Sequence, residues 1–249
     1  MILYYIRHGD PIYDPDMLTP QGKRQADAVA KRLALYGVDE IYSSSSNRAI
    51  ETAMPTCELM GKPLTELDWM HEKYVVDAFM LPIKEGGRNT WLWARADYAS
   101  LLCTREVREL GDRWYEHPAF GELDFKDYYA DMKRNIDSWI ATLGYEHDRE
   151  RGMYKVTGEN KERRVALFAH EGVSKIFMSE VLDIPYPYYV EHFEMKHSGM
   201  TVIYFDEGRN EYDFHGYARA RVLTLSNDSH LFRDGLPTNH TSTGMRARY

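Results

Sequence analysis

Residues 2–6 are five apolar or aromatic side chains in a row, Ile-Leu-Tyr-Tyr-Ile, and they are followed at once by Arg7, His8 and Gly9. A run without polar alternation reads as a strand buried on both faces, of the kind found inside a parallel sheet covered by helices. The pattern returns at residues 164–169, where Arg-Val-Ala-Leu-Phe-Ala ends in His170, Glu171 and Gly172. Two such strands, each delivering a histidine at its C-terminal end, are expected to bring both to the edge where ligands of open α/β sheets bind. Imidazole can act as a nucleophile, guanidinium fits a phosphate with two parallel hydrogen bonds, and glycine lets a bulky anion approach the backbone.

The segments between these strands read as alternating helices and strands. Thr19 is a good helix N-cap with Pro20 in the first turn; Ala26, Val29, Ala30, Leu33 and Ala34 form one apolar face, and Gly37 ends the helix. A strand over 40–43 runs into Ser44-Ser45-Ser46-Asn47, the start of a second helix with Arg48 in its first turn. A cation there opposes the helix dipole, so either an anionic ligand at that end or a surface pair with Glu51 accounts for it. A third strand is expected over 63–69. Glu72 follows it, either as a carboxyl group at the ligand crevice or as a loop residue paired with Lys73.

From about 74 to 126 the pattern is irregular, with a turn at Gly86-Gly87 and an amphipathic helix expected over 89–110. This stretch is too long for an ordinary connection and reads as an inserted cap. Trp91 and Trp93 either line a substrate pocket or form the core of the cap. A helix is expected over 127–143, then a surface loop or hairpin over 144–164 that leaves His147 exposed, then a helix over 173–182. Strands over 199–205 and 212–222 are expected to form a hairpin through Gly208, and 233–249 reads as a mobile tail.

Composition narrows the function. The net charge of −8 argues against non-specific nucleic-acid binding, so a binder of anions must concentrate its Arg and His locally. No run approaches the ~20 apolar residues of a membrane helix, and no signal peptide is expected ahead of a strand that starts at Ile2. Cys57 and Cys103 are the only cysteines and have no metal-ligand spacing. Neither a zinc site nor a disulfide framework is expected, and a reducing cytoplasm is the simplest setting.

Taken in order, these pieces resemble the histidine phosphatase superfamily, the phosphoglycerate-mutase-like proteins. Arg7-His8-Gly9 resembles the family's opening Arg-His-Gly, and the stretch from Leu18 to Ala26 resembles its Leu-Thr-x-x-Gly-x-x-Gln-Ala helix start. Ser43-Ser44 with Arg48-Ala49 and Thr52-Ala53 is similar to its Ser-Ser-x-x-x-Arg-Ala-x-x-Thr-Ala block. His170 after a hydrophobic strand resembles the second histidine, and Asn227-Asp228 with His230-Leu231 resembles a C-terminal element. The likeness covers about 1–70 and 160–231.

The resemblance implies an α/β fold: a three-layer α/β/α sandwich around a mainly parallel sheet with one antiparallel edge strand, plus an inserted helical cap. It implies a single domain over 1–232 with the cap at about 74–126. It implies that His8 is the nucleophile that becomes phosphohistidine, that Arg7, Arg48 and His170 hold the phosphoryl oxygens, and that Glu72 donates a proton. No metal and no other cofactor is expected, because two guanidiniums can supply the charge that phosphoryl transfer needs. The expected partner is a small phosphorylated substrate, with no nucleic acid and no membrane; the oligomeric state is open.

Two positions depart from the family pattern. Asp14 stands where Asn is common, and Glu171 where Gly commonly follows the second histidine, which makes Glu171 a rival to Glu72 for the acid role. No match to the Glu-Arg-His-Tyr-Gly block of the cofactor-dependent mutases is found, which favours a phosphatase. The alternatives are a mutase and a catalytically weak module that only binds phosphate esters.

Overall fold

The computed structural model describes residues 1–82, 89–159, 162–208 and 214–238. The expected turn at Gly86-Gly87, and residues 239–249 of the tail expected over 233–249, lie outside the described residues, while 233–238 are not free: Arg233 ends a helix and Leu236 is buried. Contacts divide the chain into two compact units.

The first unit is built from 1–71, 158–171 and the chain from Met195 onward. Its strands lie side by side in the order Leu64–Leu67, Glu40–Ser44, Arg164–Ala169, Ile2–Arg7, Met200–Asp206, Tyr217–Asn227. The first four are mutually parallel, and Arg7 is in register with Ala169, so the strand ends that carry His8 and His170 are neighbours. The fold is the expected mixed α/β type with a large central sheet. Its antiparallel strand is Met200–Asp206, which pairs with Ile2–Arg7 on one side and Tyr217–Asn227 on the other.

The opening strand is buried on both faces, as its uniform apolarity requires. Tyr4 and Ile6 enter a core with Val29, Leu33, Ile41, Ala53, Ala166, Phe168 and Met200. Burying a side chain of this size contributes about 1.5–3 kcal/mol. The first helix, Pro20–Tyr36, begins where expected: the Thr19 hydroxyl accepts the Gly22 N–H, and Gly37 closes the other end. Its buried face includes Ala28, and Ala34 turns to solvent. The second helix, Asn47–Met60, follows the cap residue Ser46 and ends at left-handed Gly61. Near the C-terminus, helix Ser229–Arg233 and Leu236 pack on the first helix at Ala28.

The second unit comprises 72–157 and 172–194. Its centre is an aromatic stack around Trp114. Buried Trp114 stacks on Phe125 and Tyr186, with ring centroids 5.2 and 4.9 Å away. Trp91 and Trp93 stack on each other at 4.7 Å.

The single helix expected over 89–110 is not formed. Asn89–Trp91 pairs with Met80–Pro82 as a short hairpin, and two separate helices follow, Ala96–Leu102 and Arg105–Glu109. Thr104 causes the break, because its hydroxyl caps the second helix by accepting the Val107 N–H. The last strand also differs from expectation: it runs from Tyr217 to Asn227, and Tyr212 lies outside the described residues.

His147 is likewise not exposed. It sits on the hairpin Tyr145–Asp148/Met153–Val156 with its side chain 1 % accessible, and Nδ1 lies 3.0 Å from Asp137 Oδ1. Asp137 on the helix Lys126–Thr142 and Glu180 on the helix Glu171–Leu182 supply the carboxylates that let a histidine be buried there.

Candidate active site

The end of the opening strand is held by backbone geometry. The His8 N–H donates to the Ala169 carbonyl at 2.9 Å, which continues the parallel ladder by one residue. Gly9 donates its N–H to the Thr52 hydroxyl, and a Cβ on Gly9 would stand 2.7 Å from the Gly22 carbonyl oxygen. Only glycine permits this close packing of the loop against the first helix.

His8 is buried, and its Nδ1 lies 2.7 Å from the Gly9 carbonyl oxygen. A carbonyl can only accept, so Nδ1 carries the proton and Nε2 keeps its lone pair. Burial holds the imidazole pKa well below its ordinary value, and the charges of His170, Arg7, Arg48 and His197 push it in the same direction. His8 is therefore a neutral imidazole at pH 7 with one nitrogen available for attack.

The expected companions of His8 in the first unit are brought together. His170 is fully buried, 5.2 Å from His8 between ring centroids. Its Nε2 lies 2.8 Å from Ser44 Oγ and 3.0 Å from Ser46 Oγ, and its carbonyl accepts the Tyr5 hydroxyl. The serine cluster thus orients a histidine as well as opening a helix. Arg7 donates from Nη1 to the Met195 carbonyl, while its buried Nε has no hydrogen-bond partner among the described residues. Arg48 is 7 % accessible, at the start of the helix Asn47–Met60.

Arg48 does not pair with Glu51. Its Nη1 meets Asp16 Oδ1 at 2.6 Å, whereas Glu51 accepts the Leu18 N–H. Asp14, the residue expected beside the pocket, lies exposed in the turn between the short strands Pro11–Tyr13 and Asp16–Leu18. The acidic group on Arg48 is therefore Asp16, two residues further on. Asp16 also accepts the Asn47 N–H through Oδ2, which makes it the anion at this helix N-terminus.

Glu171 Oε2 accepts the Met195 N–H at 2.7 Å and lies 3.7 Å from Arg7 Nη1. Glu72 belongs to the second unit. It is the first residue of the helix Glu72–Phe79, it is buried, and its Oε1 accepts the Gly172 N–H at 3.3 Å. A Cβ at Gly172 would stand 3.1 Å from both Trp91 and Val75, so a larger residue there would make these side chains shift.

Two residues of the first unit's site escaped the sequence reading. His197 is buried with its ring centroid 5.4 Å from that of His8, and Asp10 Oδ1 lies 3.5 Å from His197 Nδ1. Asp10 opens a stretch rich in Pro and Asp that reads as a loop, with no pattern to mark it. His197 precedes a strand instead of following one, so the strand-end pattern that marks His8 and His170 passes over it.

The fold and this convergence of imidazole and guanidinium groups at parallel strand ends define an α/β protein equipped to handle an anionic ester. The chain is similar to the histidine phosphatase superfamily: the family model of branch 1 matches residues 3–113, which carry Arg7, His8 and Arg48.

No curated protein matches the chain in sequence. Similar solved structures include a phosphoserine phosphatase from Entamoeba histolytica in complex with 3-phosphoglyceric acid, 18 % identical with a TM-score of 0.56, covering 92 % of this chain and 98 % of that one. A mycobacterial glucosyl-3-phosphoglycerate phosphatase is 22 % identical with a TM-score of 0.57, covering 90 % and 98 %. The alpha-ribazole phosphatase of Shigella flexneri is 17 % identical with a TM-score of 0.53, covering 92 % and 97 %. At these identities the likeness is one of fold.

Proposed function

We propose that the protein is a metal-independent phosphomonoester hydrolase that acts on a small phosphorylated metabolite through a phosphohistidine at His8. The observation that carries this reading is the 2.7 Å contact between His8 Nδ1 and the Gly9 carbonyl oxygen, which calls for a proton on Nδ1 and leaves the lone pair of Nε2 as the nucleophile.

In the first step His8 Nε2 forms a bond to phosphorus as the ester P–O bond breaks. Arg7, Arg48 and His170 neutralise the charge on the phosphoryl oxygens. The departing alkoxide takes a proton from Glu72. In the second step water attacks phosphorus, its proton passes to the Glu72 carboxylate, the N–P bond breaks, and inorganic phosphate leaves. Glu72 is preferred to Glu171 as the acid because the Glu171 carboxylate is already engaged by Arg7 and the Met195 N–H.

Among the described residues no helix is long and apolar enough to cross a membrane. The two free thiols, Cys57 and Cys103, support a cytoplasmic setting, and the net charge of −8 supports a small-molecule partner over a nucleic acid.

The test is hydrolysis of p-nitrophenyl phosphate with EDTA present, on the wild type and on His8→Ala. Turnover that survives EDTA and disappears in the variant supports the reading. Turnover that persists in a folded His8→Ala protein overturns it.

A further inference from the structure

His197 is the third imidazole of this site, with His8 and His170. The site already gathers Arg7, Arg48 and His170 around His8, and His197 adds a ring whose N–H can donate a hydrogen bond to an anion held there. The loop that presents it is built with care. Ser198 donates its backbone N–H to the His8 carbonyl, and the Arg7 N–H donates to the Gly199 carbonyl. These bonds tie the segment 195–199 to the end of the opening strand.

Ser198 is held at φ 55°, in the left-handed region that a residue with a Cβ avoids at a cost of roughly 1–2 kcal/mol. Its hydroxyl is fixed 3.0 Å from His230 Nε2. Gly199 cannot be replaced freely, because a Cβ would stand 2.7 Å from Ser226 Oγ. Backbone strain next to a buried polar ring is the pattern of a positioned functional group.

His197 also has a dedicated counter-ion. Asp10 lies 3.5 Å from it, and the other Asp10 oxygen accepts the Thr19 hydroxyl at 2.8 Å. The Asp10 N–H is held by Gln25 at 2.7 Å, so the carboxylate is fixed from two sides. The His197 contact holds the Asp10 carboxyl below its usual range. Asp10 on the loop after the opening strand and His8 at the strand end flank His197, Arg7 acts on Asp10, and Lys196 on the same segment is turned to Asp228 at 3.3 Å.

We propose that His197, paired with Asp10, is a phosphate ligand of this site and donates a hydrogen bond to a phosphoryl oxygen of the group transferred to His8. This rests on the phosphate-ester reading above and adds a residue to it. Asp10 acts through His197 and is a positioning residue.

The experiment is calorimetric titration with inorganic phosphate from pH 5 to 8, on the wild type, His197→Gln and Asp10→Asn, with melting curves to verify folding. A charge-assisted hydrogen bond of this kind changes affinity by about tenfold or more. His197→Gln is expected to bind phosphate about tenfold more weakly at pH 6 with a flatter pH dependence. Asp10→Asn is expected to move the loss of affinity to lower pH, since the imidazolium loses its carboxylate. Wild-type affinity in folded His197→Gln across the range overturns the proposal. Should that variant not fold, wild-type affinity and pH dependence in Asp10→Asn overturn it instead. A wild type that binds phosphate through His197 yet hydrolyses no ester would sink the hydrolase reading and leave this one standing.

Discussion

Asp16 Oδ1 lies 2.6 Å from Arg48 Nη1, so in the structure the guanidinium proposed above to meet a phosphate is already paired with a carboxylate of its own chain. The same carboxylate accepts the Asn47 N–H, covering the helix terminus where an anion would bind.

Asp16 therefore competes with an incoming phosphate for Arg48. A partly exposed pair of this kind contributes about 1 kcal/mol. Asp16→Asn keeps an acceptor for Asn47 and loses the charge. Its affinity for inorganic phosphate is expected to rise roughly fivefold at low ionic strength and less at high salt. Phosphate inhibition of p-nitrophenyl phosphate hydrolysis reads this directly; unchanged or weaker inhibition would show that Asp16 orients Arg48 and does not mask it.

The two candidate acids separate by leaving group. General-acid catalysis contributes about 10²–10⁴-fold where the leaving oxygen needs a proton. Glu72→Gln is expected to lose that factor on an alkyl phosphate and much less on p-nitrophenyl phosphate, whose phenolate leaves without help. Glu171→Gln keeps an acceptor for the Met195 N–H and is expected to affect both substrates alike, within a few-fold. Steady-state kinetics on the two esters decide it, and a leaving-group dependence confined to Glu171→Gln would reverse the assignment.

His147 makes alkaline stability testable. Burial alone would push its pKa down, but hydrogen bonds and charges from Asp137 and Glu180 outweigh that and raise it to about 9. A folded pKa above the unfolded value of about 6.5 contributes stability fully below pH 6.5 and loses it as pH rises through 9. The span corresponds to about 3 kcal/mol at most. Thermal melting from pH 6 to 9.5 should give a wild-type Tm that falls with pH and a lower, flatter profile for His147→Gln. Parallel profiles would show that His147 stays neutral.

His230 acts with the opposite sign. Burial, with the Arg32 guanidinium second, lowers its pKa to about 4. A folded histidine pKa below the unfolded one means that the unfolded chain takes up the proton first, so stability present above pH 6.5 is lost as pH falls towards 4, by about 1.4 kcal/mol per pH unit at the steepest. His8, lowered by burial and by its cationic neighbours, adds to the same acid limb. Melting from pH 7 to 4 should show a gentler decline in His230→Asn than in the wild type, and an equal decline would remove His230 from the account.

Much of this was legible in the chain. The uninterrupted apolar runs at 2–6 and 165–169 pointed to two strands buried on both faces, because runs this short, rich in branched and aromatic side chains, suit the inside of a covered parallel sheet. Thr19, Pro20 and Gly37 marked the first helix through local capping, which depends only on neighbouring residues. Arg7, His8, Arg48 and His170 were identified because strand ends and helix starts are positions that a sequence encodes locally.

Contacts between distant segments were decided only by the tertiary structure. Which acid meets Arg48 depends on how the short hairpin 11–18 folds back, and this put Asp16 there while leaving Asp14 in solvent. His147 is buried because carboxylates from two separate helices reach it, which no spacing within its own polar segment encodes. His197 comes beside His8 because the strand Met200–Asp206 pairs antiparallel with Ile2–Arg7, and antiparallel register carries the residues before one strand to the end of the other. Local chemistry is written in consecutive residues, but the partner of a charge is set by the pairing of strands far apart in the chain.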